Sequence, residues 1–368
     1  MIRIGFFGTP ELSAQVLRDF LHSSDFRVAF VVTGEDKPTG RHQTLTINPV
    51  KEVALVNHIP LLQPARIRGN REFLETIASY EADYFVVVAY GQILPKELLS
   101  IPKKYPINIH GSILPKYRGA SPIQASLIAG DSETGVTIMV MNEKMDEGDT
   151  IDVAKIQIAP DETAETLFRR FGEISGSFAI DTIKRLDAGI LTPSKQDESE
   201  ATSCKKITKE AGLLDFTKSA EELYHLYQGL TPWPGVYTFY KGKKLIIEKC
   251  TIPPLSPHPS PLLKSTSPLT PLLEGEGNEK DDKNPRLLLG EGAGGRGGRG
   301  EYLEAKISWN QKGETPTGTV IQLRDGTVAI ICRKGILTLS QVKLEGKRSQ
   351  SIKEFLHGQR DFISFILK

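Results

Sequence analysis

Asn108 and His110 stand two positions apart in "INIHGSILP", residues 107–115, with Ile107 and Ile109 alternating between them. Side chains of a strand alternate faces, so the two polar groups share one face and the two isoleucines take the other. Gly111 marks the turn where such a strand ends. An amide and an imidazole side by side, joined by a carboxylate, can hold an oxyanion and move a proton. Asp146, in "EKMDEGD", is the candidate carboxylate. The set suits acyl transfer, in which an amine attacks a carbonyl, and no Ser or Cys in a nucleophile elbow competes with it. Each residue taken singly also has a plainer reading. His110 reads as a hydrogen-bonded core histidine, Asn108 as a turn residue and Asp146 as a turn-former before Gly148.

The flanking segments must place these residues. Upstream, apolar runs alternate with amphipathic stretches, the pattern of βαβ units around a buried parallel sheet. "MIRIGFFG" and "FRVAFVVT" read as strands, with Leu12, Val16, Leu17, Phe20 and Leu21 at helical spacing between them. "YFVVVAYG" is a further strand, and a helix from about Ala164 to Leu186 closes the domain. Sites in such sheets lie beyond the carboxyl ends of strands, where Asn108 and His110 fall. "GEDKPTGRHQTLTINP" is a long polar loop carrying Lys37, Arg41 and His42, and loops of that length are often functional.

Composition changes after residue 189: a Lys-rich linker over 190–210 leads into short strands near 235–251 and 317–343, expected to form a small β-barrel. Between them, residues 252–300 are rich in Pro and Ser and then in Gly and Arg, with near copies "PLLEGEG" and "LLLGEG". Such composition builds no core and is read as a disordered insertion. Lys and Arg total 46 against 45 Asp and Glu, a net charge of +1, so any contact with nucleic acid must be local. Cys204, Cys250 and Cys332 stand far apart, which argues against disulfides and zinc. No segment approaches the ~20 apolar residues of a membrane span, and no leader precedes the strand starting at Ile2. A cytoplasmic monomer in a reducing compartment is expected. The opening "GFFGTP" lacks G-x-G-x-x-G, and no acidic residue closes the second strand, which argues against a nicotinamide oxidoreductase.

"INIHGSILP" followed by "MDEG" resembles the signature of the formyltransferases that use 10-formyltetrahydrofolate, N-x-H-x-S-L-L-P and then M-D-x-G. "VVAYGQILP" resembles their folate-site strand. Similarity to the members that act on methionyl-tRNA extends through "KPTGRHQTLTINPVK", "KITKEAGLLDF", "TPWPGVYTFYKGKKL" and "GTVIQLRDGTVAIICRKGILTLSQVKLEGKRSQSIKEFLHGQR". The resemblance implies an α/β chain: a Rossmann-like, mostly parallel catalytic domain over 1–189, then an OB-like, tRNA-contacting domain over 211–368. It implies formyl transfer to the amino group of methionine on initiator tRNA, with no metal. By this resemblance Asn108 donates to the formyl oxygen, His110 shuttles the proton to the leaving folate nitrogen, and Asp146 orients the imidazole. Ser112, Ile113, Leu114 and Pro115, with Ile93, Leu94 and Pro95, form the folate wall; Ile113 replaces the usual Leu. Arg41, flanked by Lys37 and His42, enters the acceptor stem, although the lysines that usually follow are missing. Lys205, Lys206, Lys209, Lys243, Lys244, Lys347 and Arg348 are expected to contact phosphates along the tRNA. The rival readings are a formyltransferase for an amino sugar or other small amine, and a noncatalytic RNA-binding protein.

Overall fold

Near-continuous apolar strands, alternating with helices that carry one apolar stripe, build the first of two units in the computed structural model. The units are Met1–Ile207 and Thr208–Lys368. The structure describes residues 1–39, 44–253, 315–323 and 325–368. The chain runs through β1 (Ile2–Gly8), α1 (Glu11–His22), β2 (Phe26–Val32), β3 (Lys37–Thr39), β4 (Thr44–Thr46) and α2 (Pro49–Val56). It continues through β5 (Leu61–Leu62), α3 (Arg71–Ser79), β6 (Tyr84–Val88), α4 (Lys96–Leu99), β7 (Tyr105–His110) and β8 (Arg118–Gly119). The unit ends with α5 (Pro122–Ala129), β9 (Glu133–Val140), β10 (Thr150–Gln157), α6 (Ala164–Asp187) and β11 (Ser203–Cys204).

Its seven-stranded sheet has the order β10-β9-β7-β6-β1-β2-β5. The strands from β7 to β5 run parallel, and β9 and β10 are antiparallel. Both faces of the parallel part are covered, which is why β1, β2 and β6 are apolar but for Arg3 and Arg27 near the starts of β1 and β2. Ala14, Val16, Leu17 and Phe20 of α1 pack with Leu167, Phe171 and Ile183 of α6 on one face. Phe7, Phe30, Phe85 and Tyr90 pack with Phe73 and Leu98 on the other. Asn108 lies opposite Val87 of β6 and Met139 of β9, so β7 delivers its polar pair at the carboxyl end of the parallel strands.

The segment expected to be a free linker is partly built into this unit. Ser194 bridges Thr150, and β11 pairs in parallel with β8. The reason is a local need for partners: the Arg118 N–H donates to the Thr202 carbonyl, and the Thr202 N–H to that of Pro115.

The second unit holds α7 (Ala220–Leu230), β12 (Val236–Tyr240), β13 (Lys243–Thr251), β14 (Val320–Gln322), β15 (Val328–Ile331), β16 (Ile336–Leu344), β17 (Gln350–Ser351) and α8 (Ile352–Gly358). A capping box between Ser219 and Glu222 starts α7. The strands form an antiparallel sheet of order β12-β13-β16-β15-β14, with β17 beside β16. Among the described residues β12 and β14 do not pair with each other. The C-terminal residues stand between them: the Phe239 N–H donates to the Lys368 carbonyl, the Leu367 N–H to that of Gly318, and the Val320 N–H to that of Phe365. The expected barrel is thus an antiparallel sheet whose two edges are bridged by the chain terminus. From residue 254 on, the expected insertion lies outside the described residues, as does "EYLEAKISW". Among the described residues, no helix is long and apolar enough to cross a membrane.

Candidate active site

Three segments converge at the end of β7. Asn108 Nδ2 donates to Asp146 Oδ1 at 3.4 Å, and His110 Nδ1 stands 3.6 Å from the same oxygen. The second carboxylate oxygen accepts the Gly119 N–H at 2.8 Å. His110 is 5% exposed. Its Nε2 lies 3.2 Å from the Tyr117 carbonyl oxygen, which can only accept, so Nε2 carries the hydrogen and Nδ1 holds the lone pair of the neutral ring. The Tyr117 carbonyl thus holds the imidazole from one side, with Asp146 on the other.

The D-x-G motif follows from close packing. Asp146 is left-handed, with φ 57°, a conformation that Asp tolerates better than most residues. A Cβ on Gly148 would lie 1.8 Å from the Val140 carbonyl oxygen, so only glycine lets the loop after β9 pass there. The Ser112–Pro115 turn is held from β9: Thr137 Oγ1 donates to the Ser112 carbonyl and accepts the Leu114 N–H. Ser112 Oγ donates to the Lys116 carbonyl at 2.5 Å.

Burial pushes His110 below its ordinary pKa, against the Asp146 carboxylate and the Tyr117 carbonyl, which favour the cation. The native ring therefore binds fewer protons than the unfolded one just below pH about 6.5. Stability is present above that pH and is lost as pH falls through the lower native value. Denaturant midpoints measured from about pH 7 down to about pH 5 should fall more steeply in the wild type than in His110→Gln, which cannot titrate. Equal slopes would mean that His110 is not a desolvated base.

The other expected residues divide. Ile93 is 78% exposed, Pro95 caps α4, and Leu94 is buried in the core beneath β6. Leu114 and Ser112 are buried, and Ile113 and Pro115 half-buried. A cavity of about 390 Å³ opens against this turn, lined by Ile113–Tyr117, Asp131–Thr134 and Glu200, but not by Asn108, His110 or Asp146. The buried Tyr90 hydroxyl, in the expected folate strand, has no hydrogen-bond partner among the described residues. Arg41 and His42 lie outside the described residues, and of Lys37 only the strand β3 is described. Lys205 and Lys206 are exposed on the first unit. On the second, Lys243 and Lys244 begin β13, and Lys347 and Arg348 lie in the turn after β16; the Glu345 N–H donates to the Lys244 carbonyl, and the Lys244 N–H to the Glu345 carboxylate. Glu210 lies within reach of the charges of both Lys209 and Lys244. Sequence reasoning missed Tyr117, Gly119, Arg118 and Gln196, of which the glycine in "KYRGASP" was the readable signal. Among the described residues, no group of three or more His, Cys, Asp or Glu is placed to hold a metal ion.

Residues 2–183 match the family described as formyl transferase, and residues 206–271 and 296–360 its C-terminal domain. The methionyl-tRNA formyltransferase of Lachnospira eligens is 35% identical over 359 residues, covering 98% of this chain and 97% of that one. The chain belongs to the methionyl-tRNA formyltransferase family. The family's Clostridium novyi member is 32% identical over the whole length of both chains, and its Desulfotalea psychrophila member 45% over 66% of this chain and 75% of its own. Among solved structures, a sugar 3N-formyl transferase crystallised with dTDP and 5-N-formyl-THF shares the fold, with a TM-score of 0.56 at 16% identity over 95% of this chain and 99% of that one. So does an N-formyltransferase from Helicobacter canadensis, at 0.55, 15%, 92% and 99%.

Proposed function

We propose that the chain transfers the formyl group of 10-formyltetrahydrofolate to the amino group of methionine on initiator tRNA, in the cytoplasm. The observation that carries this reading is the convergence of Asn108 and His110 on one oxygen of Asp146, in a chain of this family. Asn108 Nδ2 has two N–H groups, and the long contact to Asp146 occupies one. The other donates to the formyl oxygen as it takes up negative charge. His110 Nδ1, the lone-pair nitrogen of the neutral ring, accepts the proton that the attacking amine loses. The cation is then held between the Asp146 carboxylate and the Tyr117 carbonyl, and Nδ1 returns the proton to the leaving nitrogen. The bound folate supplies the formyl carbon and a basic leaving nitrogen. The exposed Ile93 and half-buried Ile113 and Pro115 fit a flat ring in this family's folate position, and the unpartnered Tyr90 hydroxyl fits a polar edge.

Charged initiator tRNA, free methionine and an amino sugar offered separately with formyl-folate should yield product efficiently only with the tRNA. An amino sugar formylated as well as the tRNA would replace this reading. Arg41→Ala should raise KM for tRNA at least about tenfold and leave that for formyl-folate nearly unchanged. Affinity for tRNA should fall with salt at a log–log slope of ~0.7–0.9 per phosphate contacted. A flat response would remove the lysines from the account.

A further inference from the structure

We propose that Gln196, which lies outside the catalytic trio and on the segment leading to the second unit, is a positioning residue that fixes the Asp146 loop. Its Nε2 donates to the carbonyl oxygens of Asp146 at 2.8 Å and Gly148 at 2.7 Å. Its Oε1 accepts from Arg118 Nε at 3.0 Å and Nη2 at 2.9 Å. Both donors and both lone pairs of the amide are used, and an amide is the side chain that offers two of each. Arg118 is itself tied to Glu198 at 2.8 Å, with its side chain 10% exposed.

Asp146 is thus gripped at two points. The Gly119 N–H, next in the chain to Arg118, takes the carboxylate, and Gln196 takes the main chain on either side of Glu147. The grip is needed because a left-handed Asp pays a conformational penalty that only its surroundings can hold in place. The Asp146 carboxylate lies 3.4 and 3.6 Å from Asn108 and His110, at the edge of hydrogen-bond reach, where a small drift of the loop removes both contacts. Gln196 sits on the stretch that continues through β11 to Lys205 and Lys206. Anything that moves that stretch also moves the loop.

The inference rests on the reading of Asp146 as the catalytic carboxylate, and its test has one arm independent of the reaction. In full-length protein, Gln196→Ala should lower kcat about tenfold with both KM values within about twofold. Gln196→Met, which keeps the volume, and Gln196→Glu, which keeps an acceptor for Arg118 but has no donors, should do the same. The independent arm is the His110 imidazole titration followed by NMR in the unliganded enzyme. The charged or titratable groups around the ring are Asp146, then Cys204, whose thiol donates to the Tyr117 carbonyl, and Arg118 with Glu147 and Glu198 beyond. Loosening Asp146 removes the charge that supports the imidazolium, so the inflection should move down in Gln196→Ala, and further down in Asp146→Asn. A shift with no formylation of methionyl-tRNA by the wild type keeps the positioning role and discards the proposed reaction. An unmoved inflection in a folded Gln196→Ala overturns the inference whatever the turnover.

Discussion

His110→Ala is expected to lower kcat at least about a hundredfold while the chain still folds, since a positioned general acid–base supplies ~10²–10⁴ in rate. The ring is held by its Nε2 hydrogen on the Tyr117 carbonyl, and its Nδ1 stands 3.6 Å from the Asp146 oxygen that Asn108 also reaches. Removing it takes one of two donors from the Tyr117 carbonyl, which keeps the Cys204 thiol, and leaves a small void, which costs stability but does not touch the aromatic packing of either sheet face. Asn108→Ala should lose about as much, through the oxyanion contact. Because the residues act as one unit, the double variant should be little worse than the worse single one. Steady-state kinetics with charged tRNA, beside circular dichroism, check this. A folded His110→Ala with near-normal turnover would end the proton-transfer mechanism.

The pair Asn108 and His110 was legible because strand alternation is a local rule and two residues suffice to apply it. The parallel sheet was legible for the same reason: β1, β2 and β6 are apolar but for Arg3 and Arg27, and separated by helical spacing. What joined the site was not. The Tyr117 carbonyl that fixes the ring is a main-chain group with no side-chain signature, placed by a left-handed residue where a tyrosine gives no hint of one. Gln196 lies 50 residues from Asp146, in a polar stretch whose composition is that of any linker. A linker reads as solvated from composition, because composition does not show whether its backbone finds partners. Leu94 shows the opposite failure: in "GQILP" two adjacent apolar residues look equivalent, yet one is in the core and the other in solvent. In the second unit, nothing in "SFILK" announces that it would bridge the edges of β12 and β14, since edge pairing is decided by where the chain terminus arrives.

Gly119→Ala is the second variant expected to have a large effect, and it separates the site's backbone from its side chains. Gly119 has φ +127°, which strains any residue with a Cβ, and that Cβ would lie 2.1 Å from the Cys204 carbonyl oxygen and 3.2 Å from its carbon. Backbone atoms cannot rotate aside as a flexible side chain does, so one of two things must give. Either β11 leaves β8, releasing Thr202 and Cys204 from Arg118 and Tyr117, or Gly119 turns and its N–H swings away from Asp146. The second route takes from the carboxylate its shortest hydrogen bond, and the first frees the backbone of Tyr117 and Arg118, which carries the His110 acceptor and adjoins the Gly119 donor. Turnover should fall about a hundredfold or more, and stability by about 2 kcal/mol or more, in the range of strain at a special backbone position. The two routes differ in a second readout. If β11 detaches, the half-buried Cys204 thiol should react faster with a disulfide reagent; if only the Gly119 N–H turns, its rate should stay that of the wild type while turnover still falls. Retention of wild-type turnover and stability in Gly119→Ala would show that the Asp146 carboxylate needs no backbone donor, and the account of how this site is held would fail at its most constrained residue.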